Sequence, residues 1–552
     1  MADTILTPVT LWQSFDDTLP LKEVKVNSYS IQSANITNVY FSGRQTSTGR
    51  VRIFGVYGEP TTPSKGSLLI VPDASDTVDA EVVMHFASLG YNVLFIDYRG
   101  EYENTKDFTK YPEDITYANY NERGRTFDYV DTTANETCWY EWVAVARYGI
   151  SYLKEKNPDS KIGIVGNKYG SNICWQLAAT DSRVDASVFL FGAGWQAYQN
   201  IFKQSDDDIE FNEERCRFLA GIDAQAYAQY VECPVLYLSS TNNSKFDAER
   251  AVDTLSRVKN QNTCWHNFVS TSTYALDTNC FNDIDLFLKK FILDDKVSFP
   301  KTPLIEIDVD EEDVLYNVKI DNLKEVKSIH LLASSNDIDP STRVWNNVYD
   351  YTELRGGKRV YKKHIYGESL FEMAFIAVKY NNGLTISSNF AYKKTGIKSA
   401  SKVPSIIFSS TKLPTSFIVE DIKVHLLGNV FAVNTYYGNA IGPNDIKGVS
   451  SSGTLKSFAI KNLADTITTE SFVKFDIYTP IEDKITVILH KRSGDEFKYE
   501  LNLQGGEFWQ NFTLNFIDFK DAQGIPLKVF DDIESVSIKS FATLMINNFI
   551  LI

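Results

Sequence analysis

The stretch Gly166-Asn167-Lys168-Tyr169-Gly170 sets a lysine between two glycines, after the apolar run 161–167 and before the helical stretch 171–180. A lysine amine attacks a carbonyl only when its pKa falls well below the ordinary value of about 10.4, and its usual product is then a Schiff base. As an ammonium beside a helix N-terminus it could instead hold a carboxylate or phosphate, or pair with an acid of the polar stretch 101–137. Only two histidines, His85 and His266, fall between residues 51 and 295. His85 sits within a helical pattern and His266 within an apolar strand pattern, so both read as packed side chains rather than bases. Ser171 reads as a first-turn helix residue and Asp247 as an acid at a helix start. The six cysteines, at 138, 174, 216, 233, 264 and 280, form no CxxC pair. They read as buried free thiols of a reducing compartment, and neither a zinc site nor any other cofactor is expected.

The elements that would position Lys168 alternate between two periods. Residues 51–60, 66–74, 92–100, 161–167, 186–194, 234–241 and 263–272 read as strands, most of them continuous apolar runs. Between them, 80–91, 139–156, 171–180, 247–258 and 282–293 have helical spacing. Buried strands alternating with amphipathic helices predict a doubly wound, mostly parallel sheet covered on both faces over 51–295. Residues 1–50 read as a β-like extension packing on that domain. The tyrosine-rich insertion 101–137 follows a strand end, so it should lie over the carboxyl edge of the sheet, where such folds bind ligands. Period-2 alternation then predicts a small Ig-like antiparallel sandwich over 300–396, a linker at 397–404, and a larger jelly-roll sandwich over 405–552.

The 51–295 region resembles the α/β-hydrolase superfamily, in particular its dienelactone-hydrolase and acetyl-xylan-esterase-like members. The resemblance rests on Asp97-Tyr98-Arg99-Gly100 at a strand end, on Gly166-Asn167-Lys168-Tyr169-Gly170, and on Cys233 to Asn243 as a late strand with its acid-bearing turn. In that superfamily a serine between two small residues sits on a strained strand–turn–helix elbow. Here the elbow glycines Gly166 and Gly170 are present and Lys168 holds the serine's place. The resemblance puts the acid at Asn243, which cannot balance an imidazolium. It puts the base on the loop 273–282, which contains no histidine. The implied triad is therefore absent in all three roles.

Residues 405–552 resemble galactose-binding-like carbohydrate-binding modules, on Gly505 to Gln510, Leu514 to Lys520 and Met545 to Ile550. Such modules stack sugars on aromatics, which makes Trp509, Tyr436 and Tyr437 candidate ligand-facing residues beside Lys168. Trp509 also fits a core position, and Asn547-Asn548 fits a turn or bulge before the last strand.

The chain has 552 residues, 43% hydrophobic and 23% charged, with a formal net charge of −16. That charge speaks against nucleic acid and anionic membranes as general partners. Neither a secretory leader nor an apolar run of membrane-spanning length is read in the sequence, so a cytoplasmic location is the default expectation. The resulting expectation is a non-catalytic binding or assembly protein that contacts a glycan, another protein or itself. An ester hydrolase with a non-standard site is the alternative, and carbonyl chemistry at Lys168 a third.

Overall fold

The computed structural model describes residues 5–31, 34–64, 66–102, 105–194, 212–271, 276–321, 323–354, 356–410, 416–420, 437–451 and 453–552. Its N-terminal half is built on one mixed sheet. The strands are β1 (Val24–Ile31), β2 (Ala34–Gln45), β3 (Arg50–Pro60), β4 (Gly66–Val71), β5 (Tyr91–Ile96), β6 (Lys161–Asn167), β7 (Val184–Leu190), β8 (Val235–Ser240) and β9 (Cys264–Val269). Among the described residues they lie in the order β1-β2-β3-β5-β4-β6-β7-β8-β9. From β5 to β9 every pairing is parallel; β1, β2 and β3 join antiparallel.

Burial explains why the central strands read as continuous apolar runs. All six residues of β4 are buried, with Leu68 and Ile70 in one core and Leu69 and Val71 in the other. Helices cover both faces: α1 (Pro8–Trp12), α2 (Ala80–Ser88), α3 (Cys138–Lys156), α4 (Tyr169–Thr180), α5 (Glu213–Gly221), α6 (Ala224–Tyr227), α7 (Ala248–Leu255) and α8 (Thr278–Ile292). Helix α3 begins at the Thr137 cap, whose hydroxyl accepts the Tyr140 N–H, and buries Trp139, Trp142, Val143 and Ile150. The sheet starts well before residue 51, where the sequence placed its first strand. β1 and β2 are rich in Asn, Ser and Thr because one is exposed and the other is half-covered, and such strands lack a strong apolar signal.

Several antiparallel sheets follow. In one, Leu304–Asp310, Asp313–Lys319, Lys358–His364 and Tyr351–Glu353 are neighbours. In the next, Val326–Ser335 pairs with Glu368–Tyr380, which also carries Thr385–Ser387 and Ala391–Lys398. The C-terminal region has two further sheets, one around Leu544–Leu551 and Phe472–Tyr478, the other around Asp483–Lys491 and Ile533–Lys539. No helix among the described residues is long and apolar enough to cross a membrane.

The sandwich of residues 304–398 does not hang from the first domain on a linker. Trp345, Met373 and Phe375 share one core with Tyr237 and Phe268 of the mixed sheet, and Val314, Ile376 and Ile386 share the other with Phe287 of α8. The Phe268 N–H donates to Ser387 Oγ at 3.0 Å, so this sandwich covers β9 at one end of the sheet. The C-terminal sandwich keeps a core of its own.

Candidate functional site

Lys168 stands between β6 and α4 with φ 50° and ψ −109°, a region that L-residues rarely adopt. The turn is tight enough to dictate its glycines. A Cβ on Gly166 would lie 2.6 Å from the Gly170 carbonyl oxygen, and one on Gly170 would lie 2.2 Å from that of Val71. Ser171 is fully buried; its hydroxyl donates to the Gly166 or Leu190 carbonyl and accepts the Leu190 N–H at 3.0 Å. It braces the elbow from below and does not face a ligand.

Above the elbow lies Asp73, from the turn after β4. One carboxylate oxygen is 3.5 Å from Lys168 Nζ and also accepts the Ser75 hydroxyl at 2.7 Å. The other accepts the backbone N–H of Tyr169 at 3.4 Å. Asp73 is 5% exposed. Its neighbour Asp76, also buried, accepts from Asn167 Nδ2 at 3.3 Å. Asp73 is thus an acid that Lys168 meets, and no spacing in the sequence signals it.

The insertion caps this region with aromatic packing. Tyr169 is ringed by Phe127 at 5.0 Å and Phe246 at 5.6 Å between centroids, with Lys245 Nζ 4.8 Å over its face. Arg123 lies 3.8 Å over Tyr120, which stacks on Trp142. Trp142 and Trp139 donate their indole N–H to the carbonyls of Ala118 and Phe127, fastening the insertion to α3. At its root, Asp97 accepts the Thr109 N–H at 2.6 Å, and Arg99 lies 3.5 Å away. Burial raises the Asp97 carboxyl to about 6 despite those two partners.

The other predicted residues divide in two. Asn243 follows β8, and its buried side chain accepts the backbone N–H of Lys245 at 3.0 Å and of Phe246 at 2.8 Å. That closes the turn which carries Phe246 to Tyr169, the residue after Lys168. Asp247 is a helix cap accepting the Glu249 N–H. His266 is buried within β9, and desolvation depresses its imidazole to about 4; His85, in α2, is lowered for the same reason. Trp509 belongs to the C-terminal sandwich. It is half-buried, donates to the Pro443 carbonyl at 3.1 Å, and lies against Gly442 and Gly448. Tyr437 pairs with Ser451 in a strand, while Tyr436 lies outside the described residues. Asn547 and Asn548 lie within the last strand rather than before it, and Asn548 is its bulged residue, with φ 50°. The cysteines are free, and Cys138, Cys174, Cys264 and Cys280 are buried; Cys216, predicted buried, is exposed because it lies on the solvent side of the polar helix α5.

A strand–elbow–helix turn on a helix-covered, largely parallel sheet defines a domain of the α/β-hydrolase type. Residues 53–268 match the dienelactone hydrolase family. No curated protein matches the chain. Among solved structures, it is similar to acetyl xylan esterase 1 from Thermoanaerobacterium sp., at 15% identity over 50% of this chain and 89% of that one, with a TM-score of 0.39. An acetyl xylan esterase from Paenibacillus sp. R4 is similar at 16% identity over 52% and 92%, with a TM-score of 0.39. The acylaminoacyl peptidase of Pyrococcus horikoshii is similar at 12% identity over 50% and 51%, with a TM-score of 0.36.

Proposed function

We propose that this chain is a non-catalytic binding or assembly protein on an α/β-hydrolase-type scaffold. The observation that carries this reading is the Asp73 carboxylate, which accepts the Tyr169 N–H and faces the Lys168 ammonium. In a hydrolase of this type the amide after the nucleophile stabilises the anion that forms during acyl transfer. A fixed carboxylate on that amide occupies the donor and repels a developing negative charge. The elbow residue is a lysine, Asn243 spends its oxygen on two backbone amides, and the loop 273–282 has no histidine to act as base.

Trp509, Tyr436 and Tyr437 remain the residues proposed to meet a glycan or protein ligand through the C-terminal sandwich. The competing reading, an ester hydrolase, is favoured by the family match over 53–268. A chromogenic acetyl-ester assay on the full chain separates the two. The expected result is the same background rate for wild type and Lys168→Ala; turnover by wild type that Lys168→Ala abolishes would overturn the proposal. Borohydride trapping with a panel of aldehydes and keto acids should likewise leave Lys168 unmodified.

A further inference from the structure

The two ends of the mixed sheet are treated differently. At β9 the edge meets the 304–398 sandwich, with the Phe268 N–H taken by Ser387. At the other end, among the described residues, β1 pairs with β2 on one side only, and all eight of its residues are exposed. Val24, Val26, Tyr29 and Ile31 are 52, 48, 38 and 39% exposed. A long edge strand with apolar side chains, no proline and a row of unsatisfied main-chain groups is a template for another strand. Folded proteins usually guard such an edge with charges, and β1 carries one, Lys25.

The charge pattern says what can approach it. The chain carries a net charge of −16, so two copies repel over most of their surfaces. Between Glu23 and Glu59, the span that forms β1, β2 and most of β3, there is no acidic residue, only Lys25, Arg44, Arg50 and Arg52. Arg44 is paired with Glu141, and Arg50 donates to the carbonyls of Gly43 and Pro20. The β1 edge is thus a place where two copies can meet without facing acid against acid. An antiparallel edge also matches itself about a two-fold axis.

We infer that β1 is the dimerisation edge of this protein, where two copies join by antiparallel strand pairing into one continuous sheet. The inference stands apart from the chemistry at Lys168 and holds whether or not the chain turns over an ester. A single strand pair buries less than a standard interface, so the dimer should be reversible, with a dissociation constant on the order of micromolar.

Sedimentation of the full chain across that concentration range tests this. Wild type should shift from 62.5 kDa toward twice that mass, and the β1 amides should exchange more slowly at the high end. The double variant Val26→Lys, Tyr29→Lys alters exposed side chains only, so its circular dichroism should match wild type while it stays monomeric. A wild type that remains monomeric throughout, leaving β1 to a strand of some other protein, would overturn the inference. So would a dimer that the double variant retains, or one that leaves the β1 amides unprotected.

Discussion

Lys168 combines two features that can be separated by substitution. Its side chain pairs with Asp73, and its backbone is held in a conformation that costs L-residues about 1–3 kcal/mol. Lys168→Ala and Lys168→Gly both delete the ammonium, but only glycine tolerates φ 50° without strain. The glycine variant should therefore be more stable than the alanine variant by about 1 kcal/mol in urea unfolding; equal midpoints would mean that no strain is stored there. His266 gives a pH signature. Its folded-state value of about 4 lies below the ordinary 6.5, so the unfolded chain takes up the proton first. The stability held above pH 6.5 should fall by about 2 kcal/mol between pH 7 and pH 5 through this group, until the loss levels off below pH 4. His266→Phe should flatten that part of the profile, and an unchanged slope would remove His266 as its source. Both residues were visible in the sequence, because a lysine between glycines and a histidine inside an apolar run are local patterns. Asp73 was not. It meets Lys168 only because β4 and β6 are parallel neighbours, and a turn aspartate far away in the chain carries no mark of that pairing.

Elements bounded by strong periodicity were legible nearly to the residue: 161–167 is a strand and 139–156 a helix, each predicted from its own pattern. Helix α5 was missed because four of its nine residues are charged and its buried face mixes Arg215 and Arg217 with Phe218 and Leu219 instead of showing a continuous apolar stripe. Arg215 and Arg217 are both buried, donating to the carbonyls of Asp128, Val130 and Asp131. The seam between α7 and the following sandwich is another place where charge replaces apolar packing. Glu249 of α7 pairs with Arg343, whose side chain is fully buried and also donates to the carbonyls of Asp337 and Ile338. Arg343→Met should destabilise the protein by about 3–5 kcal/mol, because it removes one partner of a buried ion pair with Glu249. Adding Glu249→Gln should recover part of that loss. Denaturant midpoints of the two single variants and the double variant check this, and a strictly additive double variant would show that the two groups do not act as a pair.

At the scale of the whole chain, the boundary near residue 300 is a change of architecture rather than a seam in the core. Sequence patterning separates helix-alternating from strand-alternating segments, but it cannot report that Trp345, Met373 and Phe375 pack on Tyr237 and Phe268. Those side chains have the spacing of ordinary sandwich interior. By contrast, the described residues of 405–552 close a core among themselves and meet their neighbour at contacts such as Lys461 with Asp337 and Val344 with Ile418 and Phe458. Two cooperative units should therefore unfold, one spanning the mixed sheet together with the 304–398 sandwich, the other the C-terminal sandwich. A chain ending at Pro404 should keep the first transition close to its temperature in the intact protein. A chain ending at Phe299 strips the cover from β9 and α8, leaves both shared cores open to water, and should aggregate or bind a hydrophobic dye. Calorimetry and dye binding on the two truncations decide the matter: if the shorter chain unfolds cooperatively at the intact temperature, the shared cores add nothing and the domains are independent.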